Sequence, residues 1–435
     1  MISNALNDKE AFVWIWLPGA TQPIVAGRLA AEGGQLLFNY GQSYLKSDRA
    51  ISLFDIELPL KSGVLPLLSG LNMPGCLRDA APDAWGRRVI INTKLGLKGI
   101  DTSRVELDEL TYLLESGSDR IGALDFQRSA KVYQPRLAVN VELAELLASA
   151  ERVEQGIPLS PVLDQALYRG SSIGGARPKA LVDEGGQKFV AKFSSSSDLY
   201  SVVKAEFVAM RLAKIVGLNV ASVSLVKSSH KDVLLIGRFD RVHSEQGWQR
   251  RGMLSALTLL GLDEMMARYA SYEDLTHIVR HRFKAPAATL KELFGRIVFN
   301  ILSGNTDDHA RNHAAFWDGA GLELTPAYDI CPQGRTGNEA TQAMLISGGD
   351  RASQLASCIK AAPLFFLSKA QAIELIQSQV KMIGEQWLAV CDSAGLSAVD
   401  RRLLWGRQFF NPYAFYGLSE DAKFLATMAE HFRTG

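Results

Sequence analysis

The stretch Asn300 to Ile330, NILSGNTDDHARNHAAFWDGAGLELTPAYDI, decides how the rest of the chain is read. It places Asp307 and Asn312 five positions apart and sets a second acid, Asp329, behind a strand-like Leu-Glu-Leu. Phosphoryl transfer needs groups of this kind. One carboxylate accepts or orients the proton of the attacking hydroxyl, while an amide five residues on and a later carboxylate hold Mg²⁺ against the phosphates. Magnesium takes a few oxygen ligands plus substrate phosphates and needs no cysteine or histidine cage. The plain alternative for an isolated D-x-x-x-x-N is a solvated, Gly-flanked turn, so the company this loop keeps has to settle the matter. His309 and His313 lie four apart, but no helical H-E-x-x-H context or further ligand accompanies them, and His309 reads as a brace of the loop rather than half of a zinc site.

Working upstream, Lys179 to Phe193, KALVDEGGQKFVAKF, has two apolar-rich runs joined by Asp183, Glu184, Gly185 and Gly186, the chemistry of a hairpin turn. Lys192 closes the second run, where a kinase-type ammonium contacts the α- and β-phosphates, and Glu206 on the following helical pattern is the expected carboxylate partner. A strand-end lysine standing alone would be a solvated edge residue. Before the hairpin lies GSSIGGARPK, Gly170 to Lys179, whose glycines let the backbone approach a phosphate, although no Walker A motif can be aligned on it. Loop, hairpin, helix and then the strand-like SVSLVKS and DVLLIGRFDRV form the order of a small nucleotide-binding lobe.

Further out, residues 11 to 60 read as short strands, AFVWIWL, QLLFNY and ISLFDIEL. Helices follow in PDAWGRRVIINTKLG from Pro82 and in DELTYLLESG from Asp108, then a strand-like GALDF. A soft boundary falls near 130 to 155, and helical patterns dominate beyond about 250. The expected organisation is an N-terminal unit over 1–150, a small lobe with the Gly-rich loop and hairpin over 151–245, and a helical large lobe over 246–435. The fold class is therefore α+β, protein-kinase-like and two-lobed, with a small mostly-β N-terminal subdomain and a mainly helical C-terminal lobe. With 47 Lys plus Arg against 46 Asp plus Glu, no global basic field draws nucleic acid or anionic lipid from a distance. Cys76, Cys331, Cys358 and Cys391 are far apart without a C-x-x-C pair, which argues for reduced thiols. No basic n-region followed by a long apolar run opens the chain, and no apolar stretch is long enough to span a bilayer, so a cytoplasmic protein is expected.

Taken together, SSIGGARPK, GRFDR, NTDDHARN and LTPAYDI, in this order, resemble the HipA family of bacterial toxin kinases, and PDAWGR and DRIGAL resemble that family's preceding subdomain. The likeness spans nearly the whole chain. It implies ATP and Mg²⁺ as cofactors, Asp307 as catalytic base, Asn312 and Asp329 as magnesium ligands, and Lys192 as the ATP-phosphate lysine. Gly174, Gly175, Lys179, Arg238, Phe239 and His309 join the implied ATP site, with Phe239 and its neighbours at the adenine hinge. Ser172 matches the family's autophosphorylated serine, with Ser171 one position away as the alternative. One departure is Gly237, where some members carry a glutamate before R-F-D-R. Adenine would then rest on backbone groups and Phe239.

The resemblance further implies a HipB-like DNA-binding antitoxin as partner and a protein substrate, with aminoacyl-tRNA synthetases among the family's targets. DNA would be reached only through the antitoxin, since no helix-turn-helix is evident here. Two rival readings stay open at this point: a catalytically silent co-repressor that only binds the antitoxin, and a small-molecule or lipid kinase, because D-D-H-A-R-N also resembles phosphoinositide-kinase loops. Near-neutral charge and the lack of membrane-directed segments weigh against lipid.

Overall fold

The structure, a computed structural model, describes residues 8–95, 106–137, 142–154, 177–195, 198, 200–335 and 337–434. The fold is α+β. The chain divides into two compact units, one made of residues 1–197, 226–254 and 316–320, the other of 198–225, 255–315 and 321–435.

The first unit holds the five-stranded sheet and most of the four-stranded one. Glu10–Ile15, Ile24–Glu32 and Gln35–Tyr40 form an antiparallel meander, extended by Val64–Leu65 at one edge and Leu124–Gln127 at the other. Gly27 is required in the middle strand: a Cβ there would lie 2.3 Å from the Asn39 carbonyl oxygen and 2.5 Å from the Phe38 ring. ISLFDIEL is not a strand. Leu58 N donates to Phe54 O at 2.6 Å, Ser52 Oγ donates to Leu58 O, and the buried Tyr40 hydroxyl accepts from Leu53 N, so tertiary hydrogen bonds fold the segment into turns despite its apolar alternation.

The second sheet of this unit runs Lys179–Glu184, Gln187–Phe193, Lys231–Gly237 and, at the edge, Val223–Ser228. The hairpin register pairs Lys179 with Lys192 and Glu184 with Gln187, leaving Gly185 and Gly186, at φ +57° and +74°, as a two-residue turn. Its apolar face carries Ala180, Ala191, Phe193, Val233 and Leu235, which pack with Trp85 and Val89 of the helix Ala84–Leu95 and with Leu146, Leu147 and Ala150 of the helix Leu143–Glu154. Trp85 also donates from Nε1 to Lys179 O at 3.2 Å, so the one polar atom of this buried indole is satisfied.

The second unit is mainly helical. Pro286–Ser303 is its central helix, started by a proline in the first turn and ended by Gly304 at φ +70°, and nearly all of its length from Leu293 onward is buried. It packs with Tyr272–Arg282 and Lys369–Ser393, and the latter also packs with Val202–Ile215 and Phe424–Thr434. Two backbone bonds at the helix end set up the next segment: Asn305 N donates to Asn300 O and Gln333 N to Gly304 O, which turns the chain directly into the loop bearing Asp307. Among the described residues no helix is long and apolar enough to cross a membrane.

Candidate active site

The loop 305–313 leaves the central helix of the second unit, forms a single 3-10 turn over Ala310–Asn312 and runs into the strand Ala314–Trp317. Asp307 is exposed and Asn312 is buried, yet the loop folds back so that Asn312 Nδ2 donates to the Asp307 backbone oxygen at 3.2 Å, while Asn312 N donates to His309 O at 2.8 Å. The amide and the carboxylate thus belong to one closed turn.

Asp329 comes to the same place from the other side of a strand pair. Leu322–Leu324 lies beside Ala314–Trp317, and Thr325 N donates to Ala314 O at 3.0 Å. The buried Arg296 guanidinium holds the Thr325 carbonyl at 2.8 Å, Ala327 exchanges backbone hydrogen bonds with Asn219 and Ala221, and Tyr328 Oη donates to Arg311 O at 2.7 Å. Asp329 itself sits at φ +59°, a left-handed conformation that side chains other than glycine rarely adopt and that over-determined functional positions tolerate. Partial burial raises the Asp307 carboxyl above its ordinary range; Asp329 and Asp308 push it in the same direction, and His309 opposes them. The two acids are therefore electrostatic neighbours.

The residues here that could hold a cation, Asp329 and Asn312, offer oxygen only, a carboxylate and an amide oxygen. Among the described residues no group of three or more His, Cys, Asp and Glu is placed to hold a metal ion. Two protein oxygens with water and phosphate completing the shell suit a hard cation of the Mg²⁺ kind, and not a metal that prefers thiolate or imidazole. His313, weighed above against a zinc pair with His309, is instead buried with its Nε2 2.9 Å from Asp308 Oδ1.

The other residues singled out from the sequence divide between the units. Lys179 and Lys192 face each other across the hairpin in the first unit, Lys179 buried and Lys192 partly so; Glu206 is buried on the helix Val202–Ile215 in the second. Ser171, Ser172, Gly174 and Gly175 lie outside the described residues. In the first unit Phe239 meets Phe316 edge to face at 6.0 Å.

Arg238 has a different surrounding from the one its motif suggested. Its guanidinium bonds Asp240 through Nε (3.0 Å) and Nη2 (2.8 Å), Asp119 through Nη1 (2.9 Å), and the Arg120 carbonyl (2.7 Å). Arg241 reinforces the set through Asp240 (2.9 Å), Asp119 (2.8 Å) and Gly122 O (2.9 Å), and Gly122 N donates to Asp240 Oδ2 at 2.8 Å. Burial works to raise both carboxyls, and the arginines overturn it and hold Asp119 well below, and Asp240 below, the usual range. With its donors committed to this network, the Arg238 side chain belongs to the scaffold.

With this geometry in view, residues 17–127 match the HipA N-terminal domain and residues 171–387 the HipA-like C-terminal domain. The chain belongs to the HipA family. It is 27% identical over 241 residues to the serine/threonine-protein kinase toxin HipA of Shewanella oneidensis, a match spanning 49% of this chain and 54% of that protein's length. The solved complex of Shewanella oneidensis HipA, HipB and operator DNA contains a chain of the same fold, with a TM-score of 0.63 at 19% identity over 98% of this chain and 95% of that one.

Sequence reasoning passed over Asp308, Tyr272 and the Asp119 to Arg241 network. The doubled acid at 307–308 was the available signal: in a tight turn only one of two neighbours can face the reaction, and the other must find donors inside.

Proposed function

We propose that this HipA-family chain is an ATP- and Mg²⁺-dependent serine/threonine protein kinase, acting as the toxin of a toxin-antitoxin pair. The observation that carries the reading is the closed turn joining Asp307 to Asn312 with Asp329 as electrostatic neighbour. Asp307 accepts or orients the proton of the attacking hydroxyl, and its carboxyl, raised above its ordinary range, is a better base than an unperturbed aspartate. Asn312 and Asp329 would hold magnesium, which when bound neutralises charge on the transferring phosphoryl group. Lys192 meets the ATP phosphates together with Lys179, Gly174 and Gly175, while Glu206 fills the place of the kinase helix glutamate and Phe239 the adenine hinge. His309 steadies the loop beside the nucleotide.

Ser172, or Ser171 beside it, is the expected site of autophosphorylation. About two negative charges added there would oppose the phosphates of ATP and switch the kinase off. A HipB-like antitoxin is the expected partner, through which DNA is reached, and a protein of the translation machinery, such as an aminoacyl-tRNA synthetase, is the expected substrate, in the cytoplasm. The test is transfer of radiolabel from ATP by the full-length protein with and without Mg²⁺. Asp307→Asn should lower transfer by about 10²- to 10⁴-fold, the usual worth of a general base. A well-folded wild type that transfers nothing, to itself or to added protein, would instead indicate a silent antitoxin-binding co-repressor.

A further inference from the structure

Three polar side chains of the second unit lie behind the Asp307 turn and take no part in the chemistry just proposed. Asp308 is 4% exposed, Tyr272 1% and His313 3%, so none of them can reach a substrate from solvent. They bond one another instead. Asp308 Oδ1 lies 2.9 Å from His313 Nε2, Asp308 Oδ2 accepts from the Tyr272 hydroxyl, and that hydroxyl is 2.8 Å from His313 Nε2. A phenol has one proton to give, and here it goes to the carboxylate. The contact between Tyr272 and His313 is then one in which the imidazole donates, which fixes a proton on Nε2. The two rings meet edge to face at 5.3 Å and 77°.

Each member is held from outside the loop or within it. Tyr272 opens the helix Tyr272–Arg282, whose first turn is capped by Ser271 Oγ accepting from Asp274 N at 3.0 Å, and Tyr272 N donates to Leu345 O at 2.8 Å. His313 O accepts from Ala256 N at 2.8 Å. Asp308 follows Asp307 and His313 follows Asn312, so tying 308 to 313 closes the intervening residues into the turn that carries the proposed base, Asp307, and the proposed magnesium ligand, Asn312. Burying a carboxylate is costly, and an apolar trio of similar volume would be as stable or more so. What the polar trio adds is direction: a bonded network has one register, where a greasy contact allows several.

We propose that Tyr272, Asp308 and His313 are positioning residues for phosphoryl transfer, a buried clamp that sets the spacing of Asp307 and Asn312. The proposal rests on the kinase reading above. Its test uses the full chain and measures steady-state transfer at saturating Mg²⁺ together with amide hydrogen exchange over residues 306–314. Tyr272→Phe keeps the ring and removes one donor. It should lower kcat by about ten- to hundred-fold and leave KM for ATP within about two-fold. Loop amides should exchange faster, with those of the four-stranded sheet unchanged. His313→Gln, whose side-chain N–H can stand in for Nε2, should retain roughly ten-fold more activity than His313→Ala. Wild-type kcat and exchange in Tyr272→Phe would overturn the clamp, as would loss of protection throughout the protein, which marks a merely structural role. If wild type transfers no phosphate, exchange alone decides: a loosened loop in Tyr272→Phe keeps the clamp and removes the kinase reading, and an unchanged loop removes the clamp.

Discussion

The network around Asp119 and Asp240 in the first unit and the one around Asp308 in the second are both withdrawn from water, but they are built differently. The first sets two carboxylates against two guanidiniums and adds backbone carbonyls at 120 and 122, so that each charge is met several times over. It joins chain segments more than a hundred residues apart. The second has one carboxylate, one phenol and one imidazole, and every member is within 41 residues of the others. Redundant charge pairing secures architecture, because the loss of any one bond leaves the rest. A sparse network with no redundancy fixes a register, and the register matters here because Asp307 and Asn312 are its immediate neighbours.

That contrast sets the size and kind of what substitutions should do. Asp240→Ala removes one of the two carboxylates that the buried Arg238 and Arg241 share, leaving only Asp119, and should cost about 3–5 kcal/mol of stability in denaturant unfolding; a loss near that of a surface change would mean the redundancy reaches further than the contacts imply. The same network predicts acid sensitivity. Asp119 and Asp240 have folded values below their ordinary 3.8, so their contribution is complete above the unfolded range and is lost as pH falls below it through the depressed folded values. Asp240→Asn should therefore flatten the acid limb of the stability curve, and an unchanged slope below pH 4 would be the contrary result.

In the second unit the expected effects are smaller and lie closer to the chemistry. Gly304→Ala forces a Cβ to 2.8 Å from Gln408 O at φ +70° and should cost about 2 kcal/mol or more, read by thermal or urea unfolding. Asp329 offers a paired comparison. Asp329→Ala and Asp329→Gly both remove the carboxylate and should both abolish Mg²⁺-dependent transfer, but the glycine variant should be the more stable by about 1 kcal/mol, because only the alanine is strained at φ +59°. Equal stabilities would mean that Asp329 stores no backbone strain.

Where a signal was confined to a few neighbouring residues, the sequence was readable. Gly185-Gly186 between two apolar runs marked the hairpin, and the helix read from Asp108 does start there, with the Asp108 side chain accepting from Thr111 N. D-x-x-x-x-N pointed to a turn, and Asp307 and Asn312 do share one, because five-residue spacing and a turn are local properties. The strand Ile24–Glu32 went unread because IVAGRLAAE is poor in β-branched residues beyond its first two and owes its place to neighbours on both sides. ISLFDIEL failed in the opposite sense, since its alternation is real and distant hydrogen bonds from Tyr40 outweigh it. Arg238 and Tyr272 were hidden for one reason: their partners lie 119 and 36 residues away, and no window of sequence contains both ends.

The smallest effect bears most directly on the contrast. Arg311 stands inside the loop, next to Asn312, and pairs with Glu264 at 2.6 Å, so an ion pair could be credited with holding the loop in place of the buried trio. Exposure argues otherwise. Both side chains are open to solvent, 32% and 49%, and a screened pair of long side chains is worth at most about 1 kcal/mol. Arg311 also contributes its backbone carbonyl to Tyr328 Oη, a bond that survives loss of the ion pair. Glu264→Gln should therefore change stability by less than about 0.5 kcal/mol and phosphate transfer by less than about two-fold, with no further loss on raising salt. If it instead slows transfer as far as Tyr272→Phe does, surface charge sets the register of the loop, and the distinction between a redundant scaffold network and a sparse positioning network no longer explains how Asp307 and Asn312 are held.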